Sequence, residues 1–281
     1  MTTLDHKIDF AVLVSVNNAN PNGDPLNGNR PRQNFDGHGE ISDVAIKRKI
    51  RNRLLDMGEN IFVQSNDKKI DQFNSLRERA DSNEEMKKAE KEKDNELYAE
   101  TACEEWIDVR SFGQVFAFKG HKLSVGVRGP VSIHPAISID PIEINSLQIT
   151  KSVNSEKGKG RASDTMGMKH RVDFGLYLFK GSINTQLAEK TGFTNEDAEK
   201  IKQALITLFE NDASAARPDG SMEVYKVFWW EHNSKLGQYS SAKVHRSLNV
   251  ESKVGTPTQL DDYEINLDEL DNLKVEVIDG Q

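Results

Sequence analysis

The residues of this chain that could do chemistry are of two kinds: carboxylates that could hold a metal, and cations that could hold phosphates. Asp24, Asp36 and Asp43, with His38 among them, could supply the ligands of a metal-dependent nuclease. Their spacing matches no recognised ligand pattern. Asp24 before Pro25 equally suits a turn, and Asp43 at a helix start suits the helix dipole. The seven histidines are scattered along the chain, and a single cysteine, Cys103, excludes both an intramolecular disulfide and a multi-cysteine zinc site. There is no phosphate-binding P-loop, nucleophile elbow or His/Cys cluster. No metal and no other cofactor is expected.

The cations are better organised. Residues 30–53 hold seven basic and three acidic residues, and residues 151–171 hold six and two. The net charge of -8 hides both segments, because residues 81–105 carry ten acids against four lysines and residues 251–281 carry nine against two. Two basic segments on an otherwise acidic chain point to a groove for a polyanion rather than to general stickiness. In the first segment, Lys47, Arg48, Lys49 and Arg51 read as phosphate contacts, with a solvated helix face as the competing reading.

Just upstream lies the stretch Asn17-Asn18-Ala19-Asn20-Pro21-Asn22-Gly23-Asp24-Pro25. Its amides, glycines and prolines favour turns, so it reads as a loop that neither extends the preceding strand nor forms helix. Asn20, Asn22 and Gly23 offer amides and approachable backbone N–H groups suited to a sugar-phosphate chain. An ordinary surface loop is the alternative. Further on, Arg110-Ser111-Phe112-Gly113-Gln114-Val115 partly matches the RNA-recognition-motif signature and departs from it at Ser111 and Gln114. Phe112 could stack on a base, but Phe112, Phe116 and Phe118 also alternate as on a buried strand face. Met166 and Met168, beside Lys169 and His170, could wedge between bases or pack inward at a strand root. Arg217 and Ser221 sit in a Pro/Gly breaker.

These residues must be positioned by a modest core. At 281 residues with 36% hydrophobic content and a mean hydropathy of -0.65, the chain suits one large domain with polar excursions. Ile8–Val16 is a short, β-branched run, read as a buried strand. Ser42 caps a helix whose stripe is Ile46, Ile50, Leu54 and Met57. Residues 66–105 read as a charged helical insertion with Glu96, Glu100 and Glu104 in an acidic stripe. Strand patterns resume at 123–133 and after Val172, flanking a basic hairpin tip. Thr194 with Asp197 opens a second helix with the stripe Ala198, Ile201, Leu205, Leu208 and Phe209, and Met222–Trp230 is a last strand. The order is β, α, β, β, α, β, an α+β ferredoxin-like arrangement with insertions. The expected division is a domain over 1–250, containing a helical insertion at 58–105 and a hairpin at 151–171, and an acidic C-terminal tail over 251–281. No apolar run approaches the length of a membrane span and no signal-peptide pattern opens the chain, so a cytoplasmic protein is expected.

Asn20-Pro21-Asn22-Gly23-Asp24-Pro25, the 42–52 helix, Asp108-Val109-Arg110-Ser111-Phe112-Gly113 and Met168-Lys169-His170-Arg171 together resemble the seventh CRISPR-associated protein family of the RAMP superfamily. The similarity is to the backbone subunits of type I-C surveillance (Cascade) complexes, and it runs from about Ile8 to Val250. The resemblance implies an RNA-recognition-motif palm, a helical finger insertion and a β-hairpin thumb. It also implies copies that polymerise head to tail along a guide RNA (crRNA), leaving it free to pair with target DNA. Partners would be the crRNA, further copies of the chain, the other Cascade subunits (the RNA-processing subunit at the 5′ handle and the large PAM-reading subunit) and, indirectly, a recruited helicase-nuclease.

Carried over residue by residue, RNA contact falls on Asn20, Asn22, Gly23, Lys47, Arg48, Lys49, Arg51, Arg110, Phe112, Gly113 and Gln114. Met166, Met168, Lys169 and His170 match the thumb, and Arg217 and Ser221 follow. Type I relatives are non-catalytic, whereas type III relatives cut RNA with a loop aspartate. A metal-dependent ribonuclease using Asp24 is therefore the alternative.

Overall fold

The structure is a computed structural model that describes residues 2–120, 123–150 and 166–281. The first half of the chain runs β1 (Ile8–Ala19), β2 (Gly23–Asp24), β3 (Arg30–Pro31), β4 (His38–Ile41), α1 (Asp43–Asp56), α2 (Leu76–Asp81), α3 (Glu84–Glu92), α4 (Asn95–Glu105) and α5 (Ile107–Phe112). It continues through β5 (Gln114–Phe116), β6 (Val125–Val127), β7 (Val131–Ile133), β8 (Ala136–Pro141), β9 (Ile144–Thr150) and β10 (Met166–Ile183). Last come α6 (Thr185–Thr191), α7 (Asn195–Ile206), β11 (Met222–Glu231), α8 (Ser241–Arg246), β12 (Leu248–Ser252), β13 (Tyr263–Leu267) and β14 (Val275–Asp279).

The main sheet follows the order β14-β11-β1-β10-β8-β4, with β7 and β9 also paired to β10. Its pairings are antiparallel throughout. β1 lies at the centre, and its residues Ile8 to Val16 are all buried. A strand covered on both faces reads as a near-continuous apolar run, here broken by the buried, hydrogen-bonded Asp9 and Ser15. Phe10, Val12, Val14 and Val16 join a core with Ile46, Ile50 and Leu54 of α1 and Ile201 and Leu205 of α7. Ala11 and Leu13 face the opposite way, into a second core with Phe228, Trp230, Val244, Leu248, Val250, Tyr263 and Leu273.

Residues 251–281, expected as an acidic C-terminal tail, contribute Tyr263 and Leu273 to that second core. β12 and β13 form a ribbon whose inward residues cover the second face of the sheet, and β14 pairs with β11 at its edge. The acids remain on the outside of an alternating pattern, which is why composition alone reads as a tail. The first loop is corrected. β1 continues through Asn17 and Ala19, which pair with Phe174 and Val172, and Asn18 takes a positive φ of 53°. Pro25–Asn27 forms one 3₁₀ turn. Pairing with the long β10 overrides the turn preference of these asparagines.

Residues 58–105 carry helices α2 to α4 and are more than a solvated excursion. Phe62, Met86, Tyr98, Ala102, Trp106, Val109 and Phe116 make a third apolar cluster. Glu96, Glu100 and Glu104 stay exposed. The Phe112–Phe118 alternation does not form one strand: α5 occupies 107–112, Gly113 turns the chain at φ 79°, and only Gln114–Phe116 is extended, in a separate ribbon with β6. A Cβ at Gly113 would lie 2.3 Å from the Val127 carbonyl oxygen, so glycine is required there. The partial RNA-recognition-motif signature therefore lies off the main sheet. No helix among the described residues is long and apolar enough to cross a membrane.

Candidate nucleic-acid interface

The first loop and the basic helix are built into one another. Asn22 Oδ1 accepts the Ser42 backbone N–H at 2.9 Å, while Ser42 Oγ caps α1 by accepting the Ala45 N–H. At Gly23 a Cβ would stand 2.0 Å from Asn29 Oδ1, so a larger residue there would push the Asn29 side chain aside. Next to this junction is a cleft of about 270 Å³ lined by four separate segments of the chain. The loop gives Asn22 and Gly23; α1 gives Arg48, Lys49 and Asn52; the start of the insertion gives Ser65, Asp67 and Lys68; and the turn after α7 gives Asp212, Ser214 and Arg217.

Four cations and two carboxylates make this lining net positive. Arg48 Nη1 donates to the Val63 carbonyl at 2.5 Å, and burial followed by repulsion from Arg51 lowers its pKa. Lys49 is buried and paired with the Asp212 carboxylate. Burial pushes its pKa down to about 8, against the upward pull of Asp212. Arg217 Nε approaches the same Asp212 oxygen at 3.3 Å. Lys68 Nζ lies 3.4 Å from Asp56 Oδ2. The arrangement can hold phosphate oxygens through charge-assisted hydrogen bonds and offers amides beside them.

The structure thus brings together Asn22, Gly23, Arg48, Lys49 and Arg217 among the expected residues. Asn20 is buried beneath them, with Nδ2 donating to the Asn29 carbonyl at 2.7 Å. Lys47 pairs with Asp43 at 3.0 Å along the helix surface. Arg51 is turned inward to Asp108 at 2.9 Å, its guanidinium 5.1 Å from the Phe112 ring centroid. Arg110 grips both oxygens of Asp197. Phe112 packs partly buried against the main core, and Gln114 donates to the Val115 carbonyl. Ser221 Oγ donates to the Pro218 carbonyl at 2.6 Å. Asn52, Ser65, Asp67, Lys68 and Asp212 were not expected in the site. For Asn52 a signal existed, its i+4 spacing from Arg48, which shares a helix face; Lys68 had none.

The described end of the second basic segment, residues 166–171, is linked to the first loop through Ser146 of β9. β9 and β10 form a hairpin ladder from Val172↔Ile144 to Met166↔Thr150, so the strand begins six residues before the expected restart at Val172. Met166 and Met168 are 54% and 55% exposed on it, which removes the inward-packing reading. Lys169 is exposed, and His170 Nδ1 lies 2.9 Å from Ser146 Oγ. That same hydroxyl meets Arg30 Nη1 at 3.0 Å, joining hairpin to loop. Of the hairpin expected over 151–171, residues 151–165 lie outside the described residues.

The candidate metal carboxylates are engaged separately. Asp24 Oδ1 accepts the Leu26 N–H at 3.1 Å as the cap of the 3₁₀ turn, with Arg32 Nη2 3.8 Å away. Asp36 accepts the His38 N–H at 3.3 Å, and Asp43 opens α1. Among the described residues no group of three or more His, Cys, Asp or Glu is placed to hold a metal.

A broad antiparallel sheet with helices and a cation-lined cleft at the junction of loop, helix and insertion defines an α+β protein with a basic groove. The model of the family described as "CRISPR-associated protein Cas7" matches residues 6–268, and the chain belongs to that family. A curated relative, the CRISPR-associated protein Cas7 of Haloferax volcanii, is 27% identical over 232 residues, covering 76% of this chain and 67% of the relative. A chain from a solved CRISPR RNA-guided surveillance complex, pre-nicking, is similar in fold, with a TM-score of 0.50 at 14% identity, over 80% of this chain and 78% of that one.

Proposed function

We propose that this protein is a non-catalytic backbone subunit that binds guide RNA and polymerises along it head to tail, presenting the guide for pairing with target DNA beside the other subunits of a surveillance complex. The observation that carries this reading is the cleft: Arg48, Lys49, Lys68 and Arg217 converge from three segments on a groove that Asn22 and Gly23 also line. A groove of this size suits backbone phosphates rather than base edges, which matches a subunit that leaves sequence reading to base pairing. Family membership over residues 6–268 supports the same assignment.

The finer architecture belongs to the proposal. The strand order β11-β1-β10-β8, with α1 and α7 against one face, supports a ferredoxin-like palm. The insertion with its own apolar cluster suits a finger, and the β9–β10 hairpin with exposed Met166 and Met168 suits a thumb that displaces a base. A heterologous, non-closing contact between copies would extend the filament.

Coexpression with a CRISPR array tests the reading. The purified protein should carry RNA of defined repeat-spacer sequence, and a variant with both Arg48→Ala and Lys68→Ala should lose most of it. Protein free of nucleic acid would overturn the assignment, and RNA of random sequence and length would overturn its guide-specific form.

A further inference from the structure

One carboxylate in the cleft stands where a ligand oxygen would be expected. Asp212 lies in the turn after α7, where Asn211 takes a φ of 55° and the Asp212 N–H donates to the Phe209 carbonyl at 3.2 Å. The turn holds the side chain between two cations from distant segments. Its Oδ2 pairs with Lys49 Nζ from α1 and lies 3.3 Å from Arg217 Nε. A single anionic oxygen shared by an ammonium and a guanidinium is the geometry a phosphate oxygen adopts in a basic groove.

The two cations differ in freedom. The Lys49 side chain is 7% exposed and cannot leave, whereas that of Arg217 is 28% exposed and has room to turn. Arg217 Nη1 is also 3.5 Å from the Asn20 carbonyl, so its guanidinium already spans the gap between Asp212 and the first loop.

We propose that Asp212 is a built-in competitor for guide phosphate, holding Lys49 and Arg217 together until an RNA backbone displaces it from Arg217. This rests on the reading of the cleft as the guide site, and it assigns Asp212 a role in selectivity. A lone anion must displace Asp212 for one contact. A chain of phosphates engages Arg48 and Lys68 as well, so only a polyanion aligned along the groove gains enough to do so. Asp212 also pulls the pKa of the buried Lys49 upward, so variants at 212 are compared at pH 6, where the ammonium form of this lysine is favoured with or without that carboxylate.

The test uses the full chain purified without an array, guide-length single-stranded RNA followed by fluorescence anisotropy over a salt series, and pyrophosphate as a short-anion probe. Asp212→Asn should bind RNA about ten-fold more tightly at ~0.1 M salt, where charges across the cleft lie within a screening length. Its log affinity against log salt should steepen by about 0.7, one further phosphate contact on a single strand. It should also acquire pyrophosphate binding that the unaltered chain lacks. Asp261→Asn, an exposed acid outside the cleft, removes the same charge and should show none of these changes, separating a local effect from net charge.

Equal or weaker RNA binding by a cooperatively melting Asp212→Asn overturns the proposal. If the unaltered chain binds RNA, and Arg48→Ala with Lys68→Ala abolishes that binding, a missing gain at Asp212 overturns only the competitor role. If no form binds RNA or pyrophosphate, both the cleft assignment and the competitor role fall. Should the Asn variant fail to fold, Asp212→Ser carries the same expectations and the same overturning result.

Discussion

Arg51 and Asp108 form an inward-facing ion pair, with Nε 2.9 Å from Oδ2, at the junction of α1, α5 and the start of the insertion. Asp108 is fully buried and also accepts the backbone N–H groups of Phe62 and Val63 at 2.7 and 3.1 Å. Its carboxylate thereby organises the entry of the insertion, and Arg51 neutralises it. Removing one partner leaves a buried charge, so Asp108→Ala or Arg51→Ala should each cost about 3–5 kcal/mol. Urea unfolding should show this loss. A change in RNA affinity without a change in midpoint would contradict it.

Under the proposed function, Lys49 should make RNA binding sensitive to mildly alkaline pH. Its pKa falls from 10.5 to about 8 in the folded chain because burial disfavours the ammonium. Between those two values the unfolded chain keeps a proton that the folded chain releases, so this lysine's contribution to stability rises with pH over that window. Below about 8 it is charged in both states and its burial costs the most. RNA affinity should move the other way, falling as pH rises through about 8, and Lys49→Arg should flatten that fall. Anisotropy titrations across pH 7–9 measure it, and an unaltered pH profile in the arginine variant would count against the assignment.

The acid limb of stability has a different origin. Asp9 is fully buried at the centre of the sheet. Burial raises its pKa, but hydrogen bonds from His232, Ser241 and Lys7 outweigh it and the net shift is downward. His245, whose Nε2 is 3.8 Å from Asp9 Oδ1, has its pKa lowered from 6.5 chiefly by burial. Below pH 6.5 the unfolded chain takes up a proton at His245 that the folded chain resists. Below 3.8 the unfolded chain also takes one up at Asp9. Both effects make stability fall as pH falls. Thermal melts of His245→Gln should show a shallower decline between pH 6.5 and 5 than the unaltered protein.

Asp24 should prove structural. Its carboxylate caps the turn at Pro25–Asn27, so Asp24→Ala should cost about 1 kcal/mol, as loss of a capping oxygen does. Labelled RNA incubated with the protein and Mg²⁺ should stay intact. Cleavage that disappears in Asp24→Ala would establish the ribonuclease alternative.

Met166 and Met168 project from the hairpin with about half their surface exposed. Replacing both with alanine should leave stability within about 0.5 kcal/mol, as for surface positions generally. If the hairpin displaces bases as proposed, chemical probing of bound guide RNA should show a regular pattern of displaced bases in the unaltered protein and none in this variant. An intact pattern would remove these methionines from the RNA path.

Much of the frame was legible in sequence because its signals are local. The Ser42 cap, the Thr194–Asp197 capping box, the stripe of α1 and the buried run of β1 each depend on residues within a few positions of one another. The loop chemistry of Asn22 and Gly23 was visible for the same reason. The helix and ribbon over the Phe112–Phe118 alternation, and the packing of residues 251–281, were not legible because their local pattern was ambiguous, and the second also because its covering role depends on the far face of β1.

What the sequence by itself determined is that basic residues follow an amide-rich loop and recur near a hairpin, on a chain otherwise acidic. Which of those cations remain available to a ligand was decided by tertiary structure. Arg51 finds its carboxylate 57 positions away and Arg110 finds its own 87 away, and both turn inward. Lys49 meets Asp212 across 163 positions, within a cleft that Lys68 and Arg217 also line. Charge acts through space with no memory of chain separation, so only the folded arrangement distinguishes an arginine that holds the protein together from one that faces a phosphate.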